Sequence, residues 1–223
     1  MKTQLSLENG YISRGSEVLL EDLSISITPL SALIITGPNG VGKSSLLLSL
    51  IGELPLSRGE LSYSQINIKE LSLKERARFR SYLPPTIDSA FPYSVADFIN
   101  FGSIPLKMRL SKSEVRNELN RWISYFELEE FSTTKINELS TGQQQRVLLA
   151  RLFLHNAEVA ILDEPTSALD SHFTSLFVEA VNTKMSEGHS FIIASHDFEL
   201  AQRINGQILE LTRGKQKPLL ERS

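Results

Sequence analysis

The sequence predicts an α/β fold, with a parallel-sheet core, an antiparallel β subdomain ahead of it and a helical subdomain inserted within it. Three observations predict this. Apolar runs recur as "ALIIT" (32–36), "EVAILD" (158–163) and "SFIIAS" (190–195), and near-continuous apolar strands belong to parallel sheets covered on both faces. Ahead of them, "QLSLENGYI" and "EVLLEDLSISI" alternate apolar and polar positions, as half-buried antiparallel strands do. Between the first two apolar runs lies a long stretch with helix start signals and helical periodicity, as expected of helices packed on a sheet.

Taken in order, the two alternating segments form the antiparallel part, and the strand 32–36 runs directly into the Gly-rich turn "GPNGVGKSS" and the apolar "LLLSLIG". Ser72 and Glu75 make a capping box that opens a helix in "LSLKERARFR", and Ser111 and Glu114 open another. In the second helix Val115, Leu119, Trp122, Ile123 and Phe126 share a face, which makes Trp122 a core residue. The second of these helices falls within the inserted helical subdomain, residues about 85–140. A third capping box, Ser140 with Gln143, starts the helix of "STGQQQRVLLARLFL". The strands 158–163 and 190–195 follow, each ending in polar residues where a parallel sheet places its ligands.

Composition limits the function. Lys and Arg number 23 against 26 Asp and Glu, with net charge −3, so no electrostatic footprint for nucleic acid is expected. No cysteine is present, which excludes disulfides and thiolate metal sites. No apolar run approaches the roughly 20 residues that cross a bilayer, and the N-terminus lacks a signal-type apolar region. With no repeat or linker, residues 1–223 read as a single domain, and the end after "ILELTRGKQKPLLERS" leaves no room for a regulatory one. His155, His172 and His189 lack metal-ligand spacing and read as surface or structural residues.

The chemistry lies at the strand ends. Gly37, Pro38, Asn39, Gly40, Val41, Gly42, Lys43 and Ser44 match G-x-x-x-x-G-K-[ST] between a strand and a helix, with Ser45 next in line. Such a loop turns its backbone N–H groups on a polyphosphate, its Lys reaches the β- and γ-phosphates and its Ser ligates Mg²⁺. Asp163 and Glu164 emerge together from the second apolar strand, before a Pro. An Asp so placed can hold Mg²⁺ through its water shell, and the Glu can orient or deprotonate an attacking water.

In this order the motifs resemble the nucleotide-binding subunits of ABC transporters over most of the chain, so the core is expected to be that of a P-loop NTPase. "GPNGVGKSS" matches the family's Walker A loop, "AILDE" its Walker B, and "LSTGQ" resembles its LSGGQ signature with Thr141 in place of a Gly. Ser167, Ala168, Leu169 and Asp170 look like the D-loop, and His196 falls on the switch histidine. The resemblance implies ATP and Mg²⁺ as cofactors, with Lys43, Glu164 and His196 catalytic and Ser44 and Asp163 on the metal. It also implies that Ser140, Thr141, Gly142 and Gln143 contact ATP held by a partner chain, in a homodimer or with a second cassette. Separate transmembrane permease subunits follow as partners, and the cytoplasmic face of the membrane as the place.

Two departures stand out. Arg14 occupies the slot where the family usually stacks an aromatic on adenine, which leaves stacking to Arg14 itself, to Tyr11 or to nothing. Pro85 occupies the slot of a glutamine that senses the γ-phosphate and Mg²⁺, which leaves that task to Thr86, to a water, or undone. "RARFRSYLPP" with "FPYSVADFINFGSIP" is similar to uptake cassettes for siderophore, haem and cobalamin-like compounds, so import of a metal chelate or a similar small solute is the first reading. A haem-type exporter cassette, a soluble non-transport ATPase and a weakly hydrolysing nucleotide switch stand as the alternatives.

Overall fold

The computed structural model describes residues 4–87, 92–212 and 215–216; Phe91, the first residue of "FPYSVADFINFGSIP", and the three residues before it lie outside them. Two long strands, β1 (Leu5–Arg14) and β2 (Glu17–Ile27), form a hairpin and lead into β3 (Ala32–Thr36) and helix α1 (Lys43–Leu50). Then come β4 (Arg58–Tyr63), β5 (Ile66–Asn67), α2 (Leu73–Phe79) and β6 (Arg80–Leu83). The insertion holds α3 (Val95–Asn100) and α4 (Lys112–Tyr125), joined by short 3₁₀ turns. The chain closes with α5 (Thr141–His155), β7 (Val159–Asp163), α6 (Ser171–Ser186), β8 (Ser190–Ala194), α7 (Phe198–Ile204), β9 (Gln207–Thr212) and β10 (Lys215–Gln216).

These strands build two sheets. One is antiparallel in the order β2-β1-β4-β5; the other runs β10-β9-β3-β8-β7-β6, parallel except for β10 against β9. Every residue of β3, β7 and β8 is buried, because the two faces of the parallel sheet belong to two different cores. Ala32 and Ile34 join the core formed with α3 to α7, whereas Leu33 and Ile35 join the core formed with α1 and the antiparallel sheet. Strand alternation thus uses both sets of side chains, and for that reason the sequence shows unbroken apolar runs.

The same parity sets the site. Val159 and Ile161 belong to the α1-side core, so Asp163, two residues further, projects on the α1 side as well. The helical insertion lies across the opposite face. There Trp122 stacks on Phe153 at 4.9 Å between ring centres and on Phe126 at 6.2 Å. Val115, Trp122, Ile123 and Phe126 are buried and Leu119 packs partly against them, as the helical spacing predicts.

All three predicted capping boxes form, at Ser72, Ser111 and Ser140. The stretch between residues 36 and 158 is mostly helical, as expected, but it also holds the short strands β4, β5 and β6. The helix in "LSLKERARFR" ends at Phe79, and Arg80 turns the chain into β6 beside β7.

Candidate active site

The turn after β3 is shaped by close approach. Gly37 sits at φ 143°, where a Cβ would come within 2.6 Å of the Leu211 carbonyl of β9. Gly42 caps α1 at φ 111° without a side-chain hydrogen bond to the first turn. Only glycine tolerates such positions at low cost. The helix therefore starts with a positive dipole end and no side chain to satisfy it. Lys43 folds back over the loop, its Nζ donating to the Gly37 carbonyl at 2.8 Å and the Pro38 carbonyl at 3.3 Å. Those are weak acceptors that an anion in the loop would replace.

An open cleft of about 580 Å³ runs over this loop. It is lined by Asn39, Gly40, Gly42, Lys43, Ser44 and Ser45, by Asp163, Glu164 and Pro85, and by Arg14, Glu17 and Leu19 of the hairpin. Asp163 is 2% exposed and one of its oxygens, Oδ2, has no hydrogen-bond partner. Burial raises its carboxyl above the ordinary value, the hydrogen bond with Ser44 opposes that shift, Glu164 reinforces it and Lys43 opposes it. A buried carboxylate with an orphan oxygen beside a serine hydroxyl is a donor set that suits a hard divalent cation.

Glu164 has a left-handed backbone, φ 49°, which costs a non-glycine residue roughly 1 kcal/mol. Its N–H is held by the Ala194 carbonyl at 2.9 Å and its own carbonyl accepts from Ser167 Oγ at 3.0 Å. The twist turns its carboxylate toward the end of β8, where Oε2 lies 3.0 Å from His196 Nδ1. A carboxylate 3.0 Å from an imidazole nitrogen, at the mouth of a phosphate loop, is equipped to take a proton from water.

The helix α5 is tied to this region from behind. Gln143 completes its cap, accepting from the Ser140 N–H at 2.8 Å. Gln144 Nε2 donates to the carbonyls of Ile136 and Leu139 at 3.1 and 3.3 Å, and Gln145 Nε2 donates to the Pro165 carbonyl at 2.8 Å. Gly142 lies against the D-loop segment, with a Cβ only 3.0 Å from the Ala168 carbonyl if one were present. Yet Ser140, Thr141, Gly142 and Gln143, like Ser167, Ala168, Leu169 and Asp170, line no part of the cleft.

Arg14 and Pro85 both line the cleft, whereas Tyr11 and Thr86 do not. Tyr11 lies instead under the Arg58 guanidinium, 5.7 Å from its ring centre. Glu17 and Leu19 join the lining without any motif to announce them. Tyr82 lies outside the lining, its hydroxyl pushed up to about 12 by burial and by the nearby charges of Asp163 and Glu53. The remaining histidines are structural, as predicted: His155 bonds the Ala77 carbonyl at 2.6 Å, His189 the Ala157 carbonyl at 2.7 Å and His172 the Glu127 carboxylate at 2.9 Å. Among the described residues no group of three or more His, Asp or Glu is arranged to hold a metal, and no helix is long and apolar enough to cross a membrane.

Comparison with known proteins agrees with this geometry. Residues 20–167 match the family model described as "ABC transporter". A protein of Helicobacter pylori named "Probable iron chelatin transport ATP-binding protein" is 34% identical, over 93% of this chain and 83% of its own. The hemin import ATP-binding protein HmuV of Pseudomonas entomophila is 31% identical, over 96% and 86%. In three dimensions a dimeric ATP-binding cassette, solved in a post-hydrolysis state with ADP and Pi, superposes with a TM-score of 0.84 at 26% identity, over 98% of this chain and 99% of that one. The cleft over a phosphate loop and the family match reach one conclusion by separate routes: the chain belongs to the ABC transporter family, as an ATP-binding cassette with ATPase activity.

Proposed function

We propose that this chain is the energising subunit of an importer for metal chelates or similar small solutes, working as a pair of cassettes on separate membrane-spanning permease subunits. It would act at the cytoplasmic face of the membrane, with residues 1–223 forming one domain that includes a helical insertion at about 85–140. The import reading rests on its relatives, one an iron chelatin transport protein and the other a hemin import protein.

In this reading the loop from Gly37 through Pro38, Asn39, Gly40, Val41 and Gly42 to Lys43, Ser44 and Ser45 binds the ATP phosphates, and Arg14 covers the base. Ser44 and Asp163 hold Mg²⁺, which when bound neutralises phosphate charge. Lys43 leaves the loop carbonyls for the β- and γ-phosphates. Glu164 orients the attacking water and accepts its proton, and His196, its Nδ1 3.0 Å from Glu164 Oε2, fixes the carboxylate and faces the γ-phosphate.

The observation that carries the two-chain mechanism is the absence of Ser140, Thr141, Gly142 and Gln143 from the cleft lining of their own chain. Their N-terminal helix end is anion-seeking and Ser140 and Thr141 are exposed. A second copy packed head to tail would put that end, with Ser167 to Asp170, over the nucleotide. ATP would then join the two chains, and hydrolysis would release them.

Light scattering of Glu164→Gln with and without ATP and Mg²⁺ tests this. We expect a monomer to become a dimer only with ATP. A monomer that persists while ATP is bound would remove the proposed sandwich.

A further inference from the structure

The lining of the cleft divides by chemistry. Asn39 to Ser45 suits phosphates, and Asp163, Glu164 and Pro85 lie at the metal and water end. What remains for the base is a patch on the β1–β2 hairpin, made of Arg14, Glu17 and Leu19. The hairpin lies against the loop, since Leu19 Cβ is 3.7 Å from where a Gly42 Cβ would be.

The patch has a fixed register. Arg14 pairs directly with Glu17 across the two-residue turn of Gly15 and Ser16, Gly15 having φ 63°. Residues opposite each other in an antiparallel pair share a face, and Leu19, two residues beyond Glu17, shares it too. One face of the hairpin thus carries a cation and a carboxylate side by side, next to the apolar Leu19. Although adjacent and opposite in charge, Arg14 and Glu17 form no ion pair with each other, and both are exposed.

A guanidinium only donates hydrogen bonds and an ionised carboxylate only accepts them. A purine can meet both, its π face under the Arg14 guanidinium and its exocyclic amine at the Glu17 carboxylate. Guanine presents the acceptors N7 and O6 beside the donors N1–H and N2–H₂, adenine presents the acceptor N7 beside the donor N6–H₂, and hypoxanthine lacks the exocyclic amine. Stacking alone would not distinguish them, because every base offers a π face.

We infer that Arg14 and Glu17 are a base-reading pair at the hairpin end of the cleft, Glu17 accepting from the base's amine, so that guanine nucleotides bind at least as tightly as adenine nucleotides. This rests on the nucleotide reading of the cleft. Diphosphates test it without turnover, by calorimetric titration of ADP, GDP and IDP into the whole chain. We expect GDP to bind at least as tightly as ADP and about fivefold more tightly than IDP, a modest factor because the pair is solvent-exposed. In Glu17→Ala and Glu17→Lys, both on an exposed hairpin position, the GDP to IDP ratio should fall to about one while IDP affinity changes little.

Equal affinities for all three in the wild type, or a ratio that survives both Glu17 variants, would overturn the base reading. Lys43→Ala separates that failure from a deeper one. If it abolishes binding of every diphosphate, the cleft reading stands whatever Glu17 does; if all three still bind as before, the cleft reading falls and this inference with it.

Discussion

Pro85 lies in the cleft lining with Asp163 and Glu164, yet it offers no side-chain donor or acceptor and no backbone N–H. Thr86, the next residue, does not take over its slot, being exposed and outside the lining. In the proposed mechanism, water beside Glu164 would be held with one contact fewer than a glutamine would supply. Pro85→Gln is expected to raise ATP turnover at saturating ATP and Mg²⁺ on the order of tenfold, below the 10²- to 10³-fold attached to an optimised donor. Unchanged turnover in that variant would argue that water positioning does not limit the rate. At the other end of the cleft, Arg14 is available for stacking and Tyr11 is occupied by Arg58. Titration with ATP should find Arg14→Ala several-fold weaker, in line with about 0.5–1 kcal/mol for an exposed cation–π contact, and Tyr11→Ala within about twofold of wild type. The reverse order would return base stacking to Tyr11.

Helix α5 bears on how much can be read without a structure. Its start was legible, because Ser140 and Gln143 stand at the spacing of a capping box and bond as one. The other two glutamines were not: Gln144 reaches the carbonyls of Ile136 and Leu139, eight and five residues back in the 3₁₀ turn ahead of the helix, and Gln145 that of Pro165, twenty residues on, and no helical pattern encodes such partners. The strand β6 was hidden for a related reason. Its four residues follow the helix α2 without a turn and have Arg and Tyr outside the fully buried set, so only pairing with β7 makes them a strand. Glu17 and Leu19 went unread because their place in the cleft comes from hairpin register and the approach of β2 to Gly42. Trp122 could be read, since a helical stripe predicts burial whatever the partner. Its stack with Phe153 and Phe126 joins the insertion to α5. Trp122→Ala should lower the unfolding free energy by about 3–5 kcal/mol in denaturant titration, as large aromatic truncations in cores do. A loss under about 1 kcal/mol would mean that the insertion is not stabilised through this stack.

In the molecule as a whole, the two groups of motif residues face different ways on one rigid frame. Gln145 fastens the signature helix to Pro165 and Glu164 is fastened to Ala194, yet Ser140 to Gln143 stay out of the cleft that Lys43 and Glu164 line. A site assembled from two copies predicts complementation between defects. Lys43→Ala spoils the loop of its own chain, and Gly142→Asp puts a negative charge where the partner's phosphate would approach, so each homodimer should be inactive. In an equal mixture half of the dimers are mixed, and each mixed dimer has one site with both defects and one site with neither. If exchange is free and the two sites act independently, the mixture should recover about a quarter of wild-type ATPase activity, following from the symmetry of a two-chain interface. Activity near that level cannot arise within single chains, because no single chain in the mixture has both an intact Lys43 and an intact Gly142. A mixture as inactive as its components would count against independent composite sites.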